Sequence, residues 1–219
     1  MRIEIHPQTP QIRLIKKVID AFTRGEVVVY PTDSGYSMGC DALSKKGVTK
    51  LYHMKRGLNK YLMALMLGDF SALSEFAKVE TSAFRYMKPL VPGPYTFVLP
   101  ATVRSRKILD VNRPELGIRM PNSPFTNTLF ELAPRAVILT TAARIEDNDN
   151  FIHPEDIEDK YGHLVDLIVD MGALPITPTT IISLVNETPE IIREGSGRIP
   201  GMGSRTSSLG PKIRPLKDR

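Results

Sequence analysis

The chain has 219 residues, 42% of them hydrophobic and 24% charged, with a formal net charge of +5. That balance is the one expected of an ordinary soluble globular protein, one large domain with a sizeable core. No apolar run approaches the ~20 residues of a membrane span, and "MRIEIHPQTPQ" lacks the apolar centre of a secretory signal. A single cysteine, Cys40, excludes an internal disulfide and a multi-cysteine zinc site, so a reducing cytoplasm is the expected setting.

In chain order, "QIRLIKKVIDAFTRG" spaces Ile12, Ile15, Val18, Ile19 and Phe22 as one helix face, with Gly25 as its stop. "EVVVY" reads as a buried strand. Pro31 is expected to halt it, leaving "PTDSGYSMGC" as a loop. Ser44 caps a helix through "KKGVTKLYHMK". "LMALML" is a short strand, and "DFSALSEFAK" and "TSAFRYMKPL" are helical. After the turn signal "VPGP" comes a strand, "PYTFVLPAT", and then another, "LGIRM". Pro124 opens a helix through "FTNTLFEL". "AVILTT" is a strand, "HPEDIEDKYG" an acidic helix and "VDLIVD" a strand. "TPTTIISLV" and "EIIRE" are strands parted by "NETP". The alternation predicts an α/β fold, an open mixed sheet covered by helices.

No linker divides the body, so the expected organisation is one domain over 1–203 and a tail over 204–219. The tail holds five of the 29 basic residues and one of the 24 acids, which leaves the body near neutrality. A solvated tail with little fixed structure is one reading; an arm that grips RNA or phosphate is the other.

Three polar clusters fall where strands end, the place where open α/β sheets bind ligands. The first carries Thr32, Ser34 and Tyr36, with Gly35 and Gly39 to permit unusual backbone angles, and is either a turn-rich loop or a cavity wall. The second is the pair Thr140 and Thr141. The third joins Thr179 and Thr180 to Arg193, an edge cation or an anion contact. Lys55 and Arg56 close a helix, where cations favour the dipole. Arg119 lies between Ile118 and Met120 on an apolar strand, and a buried guanidinium needs a partner. There is no phosphate-loop motif, no G-x-G-x-x-G and no G-x-S-x-G, and the four histidines have no metal spacing.

These clusters together resemble the YrdC/Sua5 family, nearest its YciO branch. The likeness runs from "EVVVYPTDSGYSMGCDA" through "LYHMKR", "VPGPYTFVLPAT", "LGIRMPNSP", "ILTTAA" and "PTTIISL" to "IIREGSG". It implies an open twisted sheet with a large, concave, basic cavity. The implied activity is that of a nucleotidyltransferase of the L-threonylcarbamoyladenylate synthase type. L-threonine, bicarbonate and ATP, with Mg2+, give threonylcarbamoyl-AMP and pyrophosphate for tRNA modification. Carried onto this sequence, Thr32, Ser34, Tyr36, Arg119, Thr140 and Thr180 line the substrate pocket. Lys55, Arg56 and Thr141 serve catalysis and the nucleotide, and Arg193 meets the nucleotide. Asp33 is given no role.

Two departures point to weakened or altered activity. The family's Lys-x-Arg reads Lys55-Arg56-Gly57 here, with the arginine one step off. Its Ser-x-Asn reads Thr141-Ala142-Ala143, without the amide. The resemblance also leaves open a non-catalytic double-stranded RNA or tRNA module and an adenylate-forming enzyme with another substrate.

Overall fold

A computed structural model describes residues 1–55, 63–109, 114–145, 149, 151–186 and 188–199. Its elements in order are β1 (Arg2–Glu4), α1 (Ile12–Thr23), β2 (Val28–Thr32), β3 (Gly35–Asp41), α2 (Lys45–Met54), β4 (Ala64–Met66), α3 (Leu73–Phe76), α4 (Thr81–Met87), β5 (Tyr95–Pro100), α5 (Val103–Ile108), β6 (Glu115–Arg119), α6 (Pro124–Leu132), β7 (Ile138–Ala142), α7 (Pro154–Tyr161), β8 (Leu167–Asp170), β9 (Thr180–Ser183) and β10 (Glu190–Arg193). The strands form one mixed sheet in the order β1-β8-β2-β3-β7-β4-β6-β5-β9-β10.

Most of the expected elements are present, and their ends follow local chemistry. Gly25 turns the chain out of α1 at φ +71°. The Ser44 hydroxyl accepts from the Gly47 N–H to cap α2. Pro124 stands in the first turn of α6 behind a reciprocal Ser123–Thr126 cap. β1 and α5 have no counterpart among the expected elements, and the helix expected over 69–78 shrinks to α3.

The larger correction concerns "PTDSGYSMGC". It is no loop: β2 continues through Pro31 to Thr32, and β3 returns antiparallel beside it, pairing Pro31 with Tyr36 and Thr32 with Gly35. Pro31 does not halt the ladder. Tyr36 sends its carbonyl to Ala143 on the β7 side, so at this pair the β2 backbone faces away from β3. On that far side the registered pairing with β8 ends at Val29, and no ladder bond is asked of the proline. The small residues of β3 suit a strand pressed between two others: a Cβ on Gly39 would lie 2.4 Å from the Leu139 carbonyl and 2.9 Å from the Tyr30 hydroxyl.

Alternating side chains build a core on each face of the sheet. Val29, Met38, Leu139, Leu65, Ile118 and Phe97 belong to one. Val28, Tyr30, Ile138 and Met66 belong to the other, with Ile15 and Val18 of α1 and Phe125 and Leu129 of α6.

A candidate anion-binding hollow

The sheet's twist makes the site. Thr32 ends β2 and Arg119 ends β6, four strands away. Following the registers across β3, β7 and β4, a flat sheet would part them by roughly 27 Å. Instead Arg119 Nη2 lies 3.4 Å from Thr32 Oγ1. Each strand step adds roughly 20–25° of twist. Four steps set β6 almost across β2, and diagonal corners of such a saddle rise on the same face.

Arg119 is buried, its side chain 7% exposed. Nη2 also donates to Ser34 Oγ at 2.7 Å and to Asp33 Oδ1. The other Asp33 oxygen accepts from the Asn122 N–H at 2.9 Å, one residue ahead of the α6 cap. Thr32 Oγ1 turns its own proton to the Gly35 carbonyl, 2.8 Å away. Thr177 Oγ1 donates to the Asp33 carbonyl at 3.0 Å, so the segment after β8 braces the β2–β3 turn. Arg119 Nε is buried with no hydrogen-bond partner among the described residues. A donor held that way costs about 1–3 kcal/mol, more on a charged group.

From Arg119 a row of residues crosses four strands on this face. The β5–β6 register, continued by one residue, sets Thr96 beside Arg119. Thr96 pairs with Ile181 and Ile181 with Arg193. Arg193 Nε and Nη2 donate to the Thr179 carbonyl at 3.2 and 2.8 Å, and the Thr179 and Thr96 hydroxyls meet at 2.9 Å. Burial, then the positive charges of Arg144 and Arg119, lower the Arg193 pKa. Three guanidinium groups therefore act on one region.

Lys55 caps the end of α2, yet it is more than a dipole partner: the residue is 5% exposed. Its ammonium donates to the Ala142 carbonyl at 2.9 Å and to the Arg144 carbonyl. Burial first, and the Arg144 charge second, push its pKa down to about 7, against a small opposing pull from Asp149. Asp149 accepts from Lys160 Nζ at 2.6 Å and from the Tyr161 hydroxyl, anchoring the stretch after β7 to α7.

Of the residues singled out in the sequence, Thr32, Ser34 and Arg119 touch. Arg193 shares their face, and Lys55 lies against the backbone that follows Thr141. The others do not join that contact. Tyr36 points to the opposite face, where its hydroxyl donates to the Gly172 carbonyl at 2.7 Å and accepts from the Met171 N–H at 3.1 Å. Burial raises its pKa to about 12. Thr140 turns into the α1–α6 core and accepts from the Tyr30 hydroxyl at 2.6 Å. Thr141 faces the other way and makes no hydrogen bond through its hydroxyl among the described residues. Thr180, fully buried, donates to the Gly197 carbonyl at 2.7 Å and accepts from the Gly195 N–H at 3.0 Å, so it pins the 195–197 loop. Arg56, Gly57 and the 204–219 tail lie outside the described residues. Asp33 and Arg144 went unassigned in the sequence. The available signals were an acid set among hydroxyls in a turn and a cation directly after a strand end.

A cluster of one buried and two half-buried guanidinium groups, with flanking hydroxyls and a lysine poised near neutrality, is suited to a small organic acid and to phosphate. The chain belongs to the Sua5/YciO/YrdC family: residues 20–195 match the family model Sua5_yciO_yrdC, described as "Telomere recombination". It is 36% identical over 196 residues to the uncharacterized protein YciO of Escherichia coli K12, across 89% of this chain and 95% of that protein. The crystal structure of E. coli YciO matches with a TM-score of 0.82 over 91% of this chain and 98% of that one. Threonylcarbamoyl-AMP synthase of Vibrio vulnificus YJ016 is 23% identical over 158 residues, 71% of this chain and 84% of that protein. P. abyssi Sua5, solved in complex with L-threonine, matches with a TM-score of 0.80 at 22% identity, over 89% of this chain and 57% of that one, a likeness of fold.

Proposed function

We propose that the hollow binds L-threonine and ATP and carries out chemistry of the threonylcarbamoyl-AMP synthase type. The amine of threonine adds to CO2 drawn from bicarbonate and loses a proton, leaving a carbamate. A carbamate oxygen attacks the α-phosphorus of ATP, the bond to the β-phosphate oxygen breaks, and pyrophosphate departs. The product, threonylcarbamoyl-AMP, feeds threonylcarbamoyladenosine formation in tRNA. The observation that carries this reading is Arg119, a buried guanidinium with an unsatisfied Nε, walled by the Thr32 and Ser34 hydroxyls on the face that Arg193 shares. Its natural complement is a small carboxylate. The relative named threonylcarbamoyl-AMP synthase and the threonine complex of P. abyssi Sua5 support the same choice.

In this reading Arg119 receives the threonine carboxylate, and Thr32 and Ser34 shape its surroundings. Arg193, with Arg144 and Lys55, offsets phosphate charge. No group of three His, Cys, Asp or Glu among the described residues could hold a metal ion. A divalent cation such as Mg2+ would come with the nucleotide, ligated mainly by phosphate oxygens.

Turnover is expected to be slow. Ala143 packs into the core, 5% exposed, and offers ligand no side-chain hydrogen bond. The test is pyrophosphate release by the purified protein with L-threonine, bicarbonate and ATP, each omitted in turn. Release that needs all three supports the reading, and release indifferent to threonine sinks it. Denaturing the protein as purified and weighing any released nucleotide gives an independent check on ATP or AMP.

A further inference from the structure

We propose that Asp33 is a built-in stand-in for the ligand's acid group, and that a bound carboxylate takes its place on Arg119. This rests on the proposed carboxylate site, and it adds what that site must give up to be filled.

The geometry follows from the shape of guanidinium. It grips a carboxylate with two parallel hydrogen bonds along one of two edges, Nε with Nη2 or Nη1 with Nη2. Both edges use Nη2. In this structure the two hydrogens of Nη2 are shared among Asp33 Oδ1, Ser34 Oγ at 2.7 Å and Thr32 Oγ1 at 3.4 Å. Neither edge is free for an incoming acid while Asp33 and the two hydroxyls share Nη2. Nε, half of one edge, meanwhile stays buried without a partner. Asp33 cannot satisfy both Nε and Nη2, because its second oxygen is tied to the Asn122 N–H at 2.9 Å. The internal pair is thus a one-bond version of a two-bond contact.

A ligand carboxylate that displaced Asp33 would complete the Nε–Nη2 edge and satisfy the orphan donor. The displaced side chain, already 12% exposed at the mouth of a tight turn, would keep its Asn122 bond or meet water. Asp33 then sets the affinity threshold of the hollow: it keeps a buried cation paired when no ligand is present, and it admits only acids that outcompete it.

The test is calorimetric titration of the full chain, without ATP, using L-threonine and sodium acetate as probes. The variants are Asp33→Asn, which keeps shape and the Asn122 contact but drops the charge, and Asp33→Ser as a second should the first not fold. Arg119→Ala is the control. Both Asp33 variants are expected to bind both probes at least about ten-fold more tightly than the wild type, and Arg119→Ala to bind neither. Equal or weaker binding by the Asp33 variants overturns the proposal, since Asp33 would then be a support for Arg119 and not its competitor. So does a complete lack of acetate and threonine binding in every variant. A gain for acetate with no threonine binding anywhere upholds the stand-in role and removes threonine as substrate.

Discussion

The Lys55 ammonium, at the end of α2, lies 2.9 Å from the Ala142 carbonyl at the end of β7. It sits there with its pKa lowered to about 7, because burial takes away its water. The sign of the stability effect follows. Between pH 7 and about 10.4 the unfolded chain holds this proton and the folded chain does not. Stability from this group therefore rises with pH across that window, by at most about 1.4 kcal/mol per unit. Urea unfolding at pH 6.5, 8 and 9.5 should show that rise in the wild type and lose it in Lys55→Met. An identical pH profile in the two proteins would refute the lowered pKa.

The same lysine predicts a proton change on binding. A phosphate near Lys55 raises its pKa again, since an anion favours the charged form. At pH 8 the free protein holds Lys55 largely neutral, so ATP binding should take up a proton, approaching one per site. Calorimetry in buffers of different ionisation enthalpy measures that number. Lys55→Met should bind ATP more weakly and with no proton uptake. Uptake that survives the substitution would place the titrating group elsewhere.

Thr180 ties Arg193's neighbourhood together. Its hydroxyl bonds both the Gly195 N–H and the Gly197 carbonyl from a fully buried position, next to the Thr179 carbonyl that Arg193 grips. Thr180→Val keeps the shape and deletes both bonds, at a cost of about 2–4 kcal/mol. Denaturant midpoints should fall accordingly. The KM for ATP should rise more than kcat falls, because the loss acts through the placement of Arg193. A stable variant with wild-type KM would make Thr180 an ordinary strand residue.

The sheet was largely legible because its strands are apolar runs delivered between amphipathic helices, as with "EVVVY" and "AVILTT". β3 was not, because Tyr36 is its one strong strand former among Gly, Ser, Met, Gly, Cys and Asp. Its conformation comes from being enclosed by β2 and β7, a non-local effect. Arg119 stood out as a charge on an apolar strand. Its pairing with Asp33 did not, since the saddle that joins β2 to β6 exists only in the assembled sheet. The period of two along β7 sets Thr140 and Thr141 on opposite faces, a separation already legible in their adjacency. The partner of Tyr36 was illegible for a different reason: its hydroxyl serves the Gly172 turn, 136 residues on, which no local pattern announces.

Arg119 should tell charge from shape. Arg119→Lys keeps a cation for Asp33 but has no planar fork, while Arg119→Ala leaves the nearly buried carboxylate with no ion partner. Stability should therefore fall more in Arg119→Ala than in Arg119→Lys, by about 2 kcal/mol or more. Threonine-dependent pyrophosphate release should suffer in both. In Arg119→Lys the loss of one charge-assisted contact of about 1.5–3 kcal/mol predicts a drop of roughly 10- to 150-fold in kcat/KM for threonine. In Arg119→Ala the drop should be larger still. Thermal melts alongside a continuous pyrophosphate assay separate the two effects. Arg119→Lys at wild-type kcat/KM would remove the guanidinium edge from substrate recognition, whatever its part in holding the two corners of the sheet together.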